Sequence, residues 1–381
     1  MSTETAPRPT RRPPLSLRDV ARSAAANLPP EIWDFISGGS GDEGVLRRNR
    51  AALDRVCLTP RVLRGSARPS TAGLMLGAPV RLPVAVAPIA YQQLLDEQGE
   101  LAAARAAAAA GVPYIASTLS SFTIEDIAVQ GAATWFQLYW LRNRSRVDEL
   151  VARAETAGCR ALVLTVDVPR MGRRLRDARR GFSLPPSVRA ANLPSDEGHT
   201  ATVCLDGTSA IMRHTAEALE PALSWADVER LRERTRLPLV LKGILDPADA
   251  VRAADAGADA VVVSNHGGRQ FDSAPASIDA LADVVAAVPG TCEVLLDSGV
   301  RSGTDILRAL ALGARGVLIG RPVLWGLACG GEQGVGDVLS LLRQEFEDAL
   351  AIGGCADLDD AHRLRVTRES HSVNDHGGEP R

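Results

Sequence analysis

From residue 82 onward, short runs of consecutive apolar residues alternate with longer segments whose apolar positions recur every three or four residues. The runs span 82–87, 114–117, 135–139, 161–166, 237–241, 258–263, 293–296 and 316–319. A run that is apolar throughout reads as a strand buried on both faces, and the intervening spacing reads as helix. Residues 100–110 and 304–312 are the clearest helices. Each is followed by a glycine, Gly111 and Gly313, the residue best suited to a left-handed C-cap. Strands buried on both faces and separated by helices predict a parallel sheet, and eight of them predict an α/β fold closed as a (β/α)8 TIM barrel.

Outside this repeat the pattern changes. Residues 1–14, with four prolines and no periodicity, are expected to be disordered. Residues 16–27 and 31–37 have amphipathic spacing and predict an N-terminal helical extension, the first helix capped by Ser16. Residues 63–77 alternate turn and apolar residues and predict a small hairpin. The connection after the fourth strand, 167–236, is too long for a simple link. Its polar centre, 183–207, predicts a mobile lid without the apolar, basic face of a membrane-inserting loop. The division expected is a tail at 1–14, one domain over 15–365 and a flexible tail over 366–381.

In a parallel barrel, reacting groups lie beyond the strand C-termini, so those positions carry the candidate chemistry. They read, strand by strand, Pro88, Ile89, Ala90 and Tyr91; Ser117; Gln137 and Tyr139; Thr165 and Asp167, with Arg174 in the following loop; Lys242; Ser264, His266 and Arg269; Asp297, Gly299 and Arg301; Gly320 and Arg321. Polar groups at nearly every end exceed what a purely structural barrel needs. His266 is the group able to exchange a proton near neutrality, and Arg269 offers a fork that suits a carboxylate. Asp167 is a candidate to orient His266 or, more plainly, to cap a turn. Lys242 would be desolvated, which suits a buried structural ion pair, a Schiff-base lysine or a cation facing an anionic cofactor. Gln137 and Thr165 suit the edge of a heterocycle. The residues after the last two strands suit a phosphate, although Gly320 and Arg321 alone could equally be a turn with a surface charge.

Composition removes several classes. A formal charge of -3 with no basic stripe argues against nucleic acid. The Ala-rich stretch 101–112 contains Arg105 and is too short to span a bilayer. The six cysteines form no Cys-x-x-Cys pair, which predicts no metal site, no disulfide frame and a cytoplasmic protein.

The segments 165–174 (TVDVPRMGRR), 241–243 (LKG), 264–272 (SNHGGRQFD), 297–305 (DSGVRSGTD) and 320–322 (GRP) together resemble the FMN-dependent 2-hydroxy acid oxidases and dehydrogenases, which include glycolate oxidase, lactate oxidase and mandelate dehydrogenase. The likeness covers about 15–365. Segments 33–41 (WDFISGGSG), 86–91 (VAPIAY), 135–141 (WFQLYWL) and 171–177 (MGRRLRD) bring it nearest the branch acting on 4-hydroxymandelate.

The resemblance implies that His266 is the base toward an (S)-2-hydroxy acid, that Asp167 pairs with it, and that Arg269 and Arg174 bind the substrate carboxylate with Tyr139 nearby. It implies FMN as cofactor. Lys242 would face the N1/O2 edge and Ala90 would lie near N5. Ser117, Gln137 and Thr165 would touch the ring, while Asp297, Gly299, Arg301, Gly320 and Arg321 would hold the ribityl phosphate. It further implies O2 as acceptor, giving H2O2, and a homo-oligomer, a tetramer. Three positions depart from the family pattern. Phe35 stands where a tyrosine is frequent, which favours an aryl substrate; Ile89 replaces a threonine, and Ser298 a glycine. Tyr91 would complete an aromatic pocket or simply pack in the core. Alternatives are a dehydrogenase with a quinone or carrier acceptor, an oxidase of lactate or glycolate type, and a ligand-binding barrel without turnover.

Overall fold

The computed structural model describes residues 14–65, 68–193 and 218–369. The chain begins with α1 (Leu17–Asn27), α2 (Pro30–Ser37) and α3 (Gly44–Asp54), then β1 (Val56–Thr59) and a hairpin of β2 (Gly73–Met75) and β3 (Ala78–Val80). The barrel strands follow as β4 (Val84–Val86), β5 (Tyr114–Ser117), β6 (Thr134–Leu138), β7 (Leu162–Thr165), β8 (Leu239–Ile244), β9 (Ala260–Val263), β10 (Glu293–Leu296) and β11 (Gly316–Ile319). Each pairs in parallel with the next, and β11 closes the cylinder onto β4. This is the (β/α)8 barrel that the eight apolar runs predict.

The helices between and after the strands are α4 (Gly99–Ala110), α5 (Ile124–Ala128), α6 (Arg144–Thr156), α7 (Leu175–Arg180), α8 (Trp225–Arg234), α9 (Pro247–Asp255), α10 (Ser277–Ala287), α11 (Gly303–Ala311), α12 (Arg321–Gly353) and α13 (Leu358–His362). The longest, α12, is interrupted at Gly330 and Gly331, whose backbone angles are not helical. A last strand, β12 (Arg365–Arg368), pairs antiparallel with β1.

Why every barrel strand is apolar on both sides follows from the two cores. Ala85, Ile115, Trp135, Val163, Val240, Val262, Leu295 and Leu318 fill the barrel interior, and their neighbours Val84, Tyr114, Phe136, Leu162, Leu239, Val261, Leu296 and Val317 pack outward against the helices. The hairpin contributes Met75 and Val80 to the interior cluster and so plugs one end of the barrel. No described helix is long and apolar enough to cross a membrane.

Three expectations need correction, and one helix was not foreseen. The hairpin lies at 73–80, not 63–77. Its turn, at Leu76 and Gly77, falls within the expected stretch, but the paired strands extend only over 73–75 and 78–80. The fifth strand continues through Lys242 and Gly243 to Ile244, past a register shift; Gly243, at φ 114, supplies the bulge. Residues 366–368 belong to β12, so the flexible tail expected from 366 begins too early. α3 was not anticipated, because its polar sequence GVLRRNRAALD shows little apolar stripe. Within the long connection, α7 and α8 are formed. Most of the lid centre expected at 183–207, and the tail at 1–13, lie outside the described residues.

Candidate active site

The alternation that fills the barrel interior also determines which side chains crown it. Two residues beyond the interior positions come Ser117, Gln137, Thr165, Lys242, Ser264, Asp297 and Gly320, so the inward series turns from apolar to polar at the C-terminal mouth of the barrel. These groups are joined to one another. Ser117 Oγ donates to Gln137 Oε1 at 3.2 Å, and Gln137 Nε2 donates to Thr165 Oγ1 at 3.0 Å. Lys242 Nζ donates to Ser264 Oγ at 3.0 Å and lies 2.9 Å from Asp297 Oδ2. Above this layer a single cavity runs from Phe35 and Tyr91 past His266 to Arg301 and Arg321.

His266 follows β9 at φ 58, a left-handed conformation that costs a residue with a β-carbon roughly 1–2 kcal/mol. Ser264 Oγ accepts from its backbone N–H at 3.0 Å, and Asn265 Oδ1 accepts from that of Gly268 at 3.0 Å, so the turn is held from within. The ring Nδ1 lies 2.9 Å from Asp167 Oδ1. That contact leaves Nε2 for a ligand. Burial raises the Asp167 carboxyl, but the opposing His266 and Lys242 outweigh it and hold it below the usual range, which keeps a negative charge beside the imidazole. Gly243 makes the approach possible: a Cβ there would stand 2.5 Å from that of Asp167. Tyr139 closes this side, its phenol raised by burial and then by Asp167, so it is a neutral donor.

Arg174 and Arg269 bring two cations to one ring. Their guanidinium carbons lie 5.9 and 5.6 Å from the centre of Phe35, whose other partner, Phe182, stacks at 4.7 Å. Both guanidiniums are pushed down, first by burial; for Arg269 the next causes are Arg174 and Arg321. Arg174 Nε has no hydrogen-bond partner among the described residues, and its nearest carboxylate, Asp177, is 3.9 Å away. Buried like charges side by side with a spare donor describe a site for an anion. Arg174 precedes α7, which is fastened to α2 by Arg176–Asp34 and Arg180–Asp34 and to the start of α3 by Arg176–Glu43.

At the other end, burial and Arg321 push Arg301 down to about 9, and burial and Arg174 push Arg321 down to about 10. Arg321 donates to the carbonyls of Ile36, Gly38 and Gly267, which leaves two of its five N–H groups unspent. Both cations flank the start of α12, where Gly320 gives no side-chain cap, and uncapped helix N–H groups attract phosphate. At Gly299, φ 106, an added Cβ would stand 3.2 Å from the Asn49 carbonyl oxygen and 3.0 Å from Leu53, so the loop's path there suits glycine alone.

The model of the FMN-dependent dehydrogenase family matches residues 24–368. The chain belongs to that family. A 4-hydroxymandelate oxidase from Amycolatopsis orientalis is 54% identical over 352 residues, covering 92% of this chain and 98% of the relative. An L-lactate oxidase from Nostoc sp. is 48% identical over 352 residues, covering 91% and 96%. A crystal structure of mandelate oxidase with (S)-4-hydroxymandelic acid superposes with a TM-score of 0.90 at 53% identity, covering 93% of this chain and 99% of that one.

The residues fit the family's FMN. Lys242 uses two of its three N–H groups on Asp297 and Ser264, so a buried cation keeps one donor at the cavity wall. The Gln137 and Thr165 edge is neutral, and the two arginines beside an uncapped helix start suit a dianionic phosphate. All the expected positions meet around the cavity. Asp167 and Ser264 do so through His266 and Lys242 rather than by lining it. Asp297, expected at the ribityl chain, lines the cavity and is also the counter-ion of Lys242.

Several supporting contacts were missed, among them those of Ser298, noted only as a departure from glycine. Ser298, at φ 75, stands in a conformation that glycine favours. Its hydroxyl recovers that cost by accepting from Gly267 N–H at 2.9 Å and donating to Asp297 at 2.7 Å. Asn49 and Asn265 exchange amide hydrogen bonds, and Arg50 reaches Gly299 O and Asp305. The motif Ser302-x-x-Asp305 was a visible cap signal; the Asn49 and Arg50 contacts span over 200 residues and left none.

Proposed function

We propose that this family member oxidises an aryl (S)-2-hydroxy acid, of mandelate or 4-hydroxymandelate type, to the 2-keto acid, with O2 as acceptor. The observation that carries the reading is the Phe35 ring with the Arg174 and Arg269 guanidiniums 5.9 and 5.6 Å from its centre, lining the same cavity as His266, which is paired with Asp167. The guanidiniums offer bidentate donors to the substrate carboxylate, and the Phe35 and Tyr91 rings offer an apolar wall to the aryl group. With the carboxylate so anchored, the 2-hydroxyl and C2 come to His266. Its Nε2 takes a proton, and Asp167 holds the ring in one tautomer and stabilises the imidazolium that forms. Tyr139, kept neutral, donates to the substrate oxygen. Lys242, held by Asp297, would offer a fixed positive charge to the edge of the heterocycle. FMN, when bound, supplies the acceptor for two electrons and passes them to O2 as H2O2. The proposal for the phosphate is Arg301, Arg321 and the start of α12.

The names of the 4-hydroxymandelate and mandelate oxidases support the aryl substrate, and those two together with the lactate oxidase support the oxidase outcome. Phe35 supports the aryl class independently, since a phenyl adds no hydrogen bond for a small hydroxy acid. Reduced cysteines such as the buried Cys159 and Cys292 accord with a cytoplasmic protein, and a homo-oligomer is expected by light scattering. The functional test is anaerobic mixing of the FMN-loaded protein with (S)-mandelate, followed by air. Bleaching of the flavin absorbance and its rapid return with H2O2 are expected. Bleaching without rapid return would assign a dehydrogenase with another acceptor.

A further inference from the structure

Behind the turn that carries Pro88 to Tyr91 lies a carboxylate that the reaction described above does not use. Glu100, in the first turn of α4, is fully buried. Its Oε1 accepts from the backbone N–H of Gln92 at 3.0 Å and from that of Ser121 at 2.9 Å. One oxygen thus joins the loop after β4 to the loop after β5. The same two loops meet where Tyr91 N–H donates to Leu119 O at 3.2 Å. Gln92 is buried as well, and its Nε2 donates to the Tyr114 hydroxyl at 2.9 Å. Gly99, at φ 39, lets α4 begin against this loop, since a Cβ there would stand 2.9 Å from Gln93 N.

The residue next to Gln92 is the one that needs holding. Tyr91 is at φ 58, in the left-handed region. Its ring lines the cavity and is 2% exposed. Burial and then the neighbouring Tyr139 raise its phenol, while Arg174 opposes them, so the ring stands among the groups that face the substrate. A left-handed tyrosine has no preference of its own for that position. The amide bonds on either side of it define where the ring goes.

We propose that Glu100 is a positioning residue: by clamping the Gln92 and Ser121 amides it fixes the Tyr91 ring as a wall of the substrate pocket, and so sets the discrimination between aryl and aliphatic 2-hydroxy acids. This rests on the 2-hydroxy acid reading of the site. The clamp needs an oxygen at that distance, not a charge. Glu100 Oε2 has no partner among the described residues, and burial pushes the carboxyl up to about 7, so the neutral acid serves equally well.

The test compares kcat/KM for (S)-mandelate with that for (S)-lactate on FMN-loaded wild type, E100Q, E100D and E100A. E100Q keeps an oxygen able to accept both N–H groups and is expected to retain the wild-type ratio. E100A lacks that oxygen, and E100D is one methylene too short to hold both amides. In each the ratio is expected to fall about tenfold, mainly through the KM for mandelate, the low end of what one altered apolar contact does to discrimination. A wild-type ratio in E100A or E100D would overturn the proposal, as would an E100Q ratio that falls with theirs. If E100A fails to fold, E100D and E100Q still decide. Wild type that oxidises neither acid would contradict the 2-hydroxy acid reading itself, and the proposal with it.

Discussion

His266, Tyr91 and Ser298 share two properties: each has a β-carbon in the left-handed region, and each lines the cavity. Strain of this kind persists where surrounding bonds over-determine the backbone, and all three have such bonds, from Ser264 Oγ, from Glu100 through Gln92, and from Gly267 and Asp297. The His266–Asp167 pair is the most consequential of these local arrangements. Asp167→Asn keeps the side chain's shape while removing its charge. The expected result is a kcat lower by on the order of a hundredfold or more with FMN content unchanged, read by steady-state kinetics and flavin absorbance. A kcat within a few-fold of wild type would remove Asp167 from the reaction. The candidate base, its partner and the flanking cations were legible in the sequence because each stands at a strand end or in the loop that follows one. Ser298 was legible only as a departure, since no sequence pattern announces a positive φ in a serine.

Among the elements, the barrel strands were the easiest to read and α3 the hardest. Strands with apolar residues on both faces leave an unbroken signal. α3 binds the site through polar side chains that resemble a solvated face until their partners are known. It lies across both halves of the site: Val45 N–H donates to Asp272 at 2.9 Å, Asn49 pairs with Asn265, and Arg50 reaches Gly299 O and Asp305. Asp305 is fully buried, receives Arg50 and Arg308 at 2.6 and 2.9 Å, and also accepts from Arg301 N–H at 2.8 Å. Asp305→Ala would leave that N–H and two guanidiniums short of a partner. A loss of about 2–3 kcal/mol is expected in urea unfolding, kept moderate because Arg50 is about one-third exposed. FMN should also dissociate more readily, because the Gly299–Arg301 loop loses its anchor. Unchanged FMN retention would separate α3 from the cofactor site.

For the whole molecule, the buried Glu100 makes a distinct demand on stability. Its carboxyl is raised from 4.5 to about 7 in the fold, chiefly by burial, so folding favours the protonated form. Its contribution is intact below about pH 4.5 and is lost as pH rises through about 7, amounting to on the order of 3 kcal/mol at 1.36 kcal/mol per unit. The titratable neighbour Tyr114 is itself raised well above its ordinary value and stays neutral over this range. E100Q removes the titration. Its stability relative to wild type should therefore increase between pH 4.5 and 7 and level off above, in denaturant melts at several pH values; a pH-independent difference would mean that Glu100 does not titrate there.

Oxidation at this site depends on one residue acting as the base at the mouth of the barrel. The most direct measurement is the anaerobic flavin absorbance of FMN-loaded His266→Ala after addition of (S)-mandelate, beside wild type. The expected result is a variant that carries FMN as wild type does, because Lys242, Arg301 and Arg321 are untouched, and whose absorbance no longer bleaches. Bleaching at the wild-type rate would contradict the assignment of His266 and with it the mechanism built on the site.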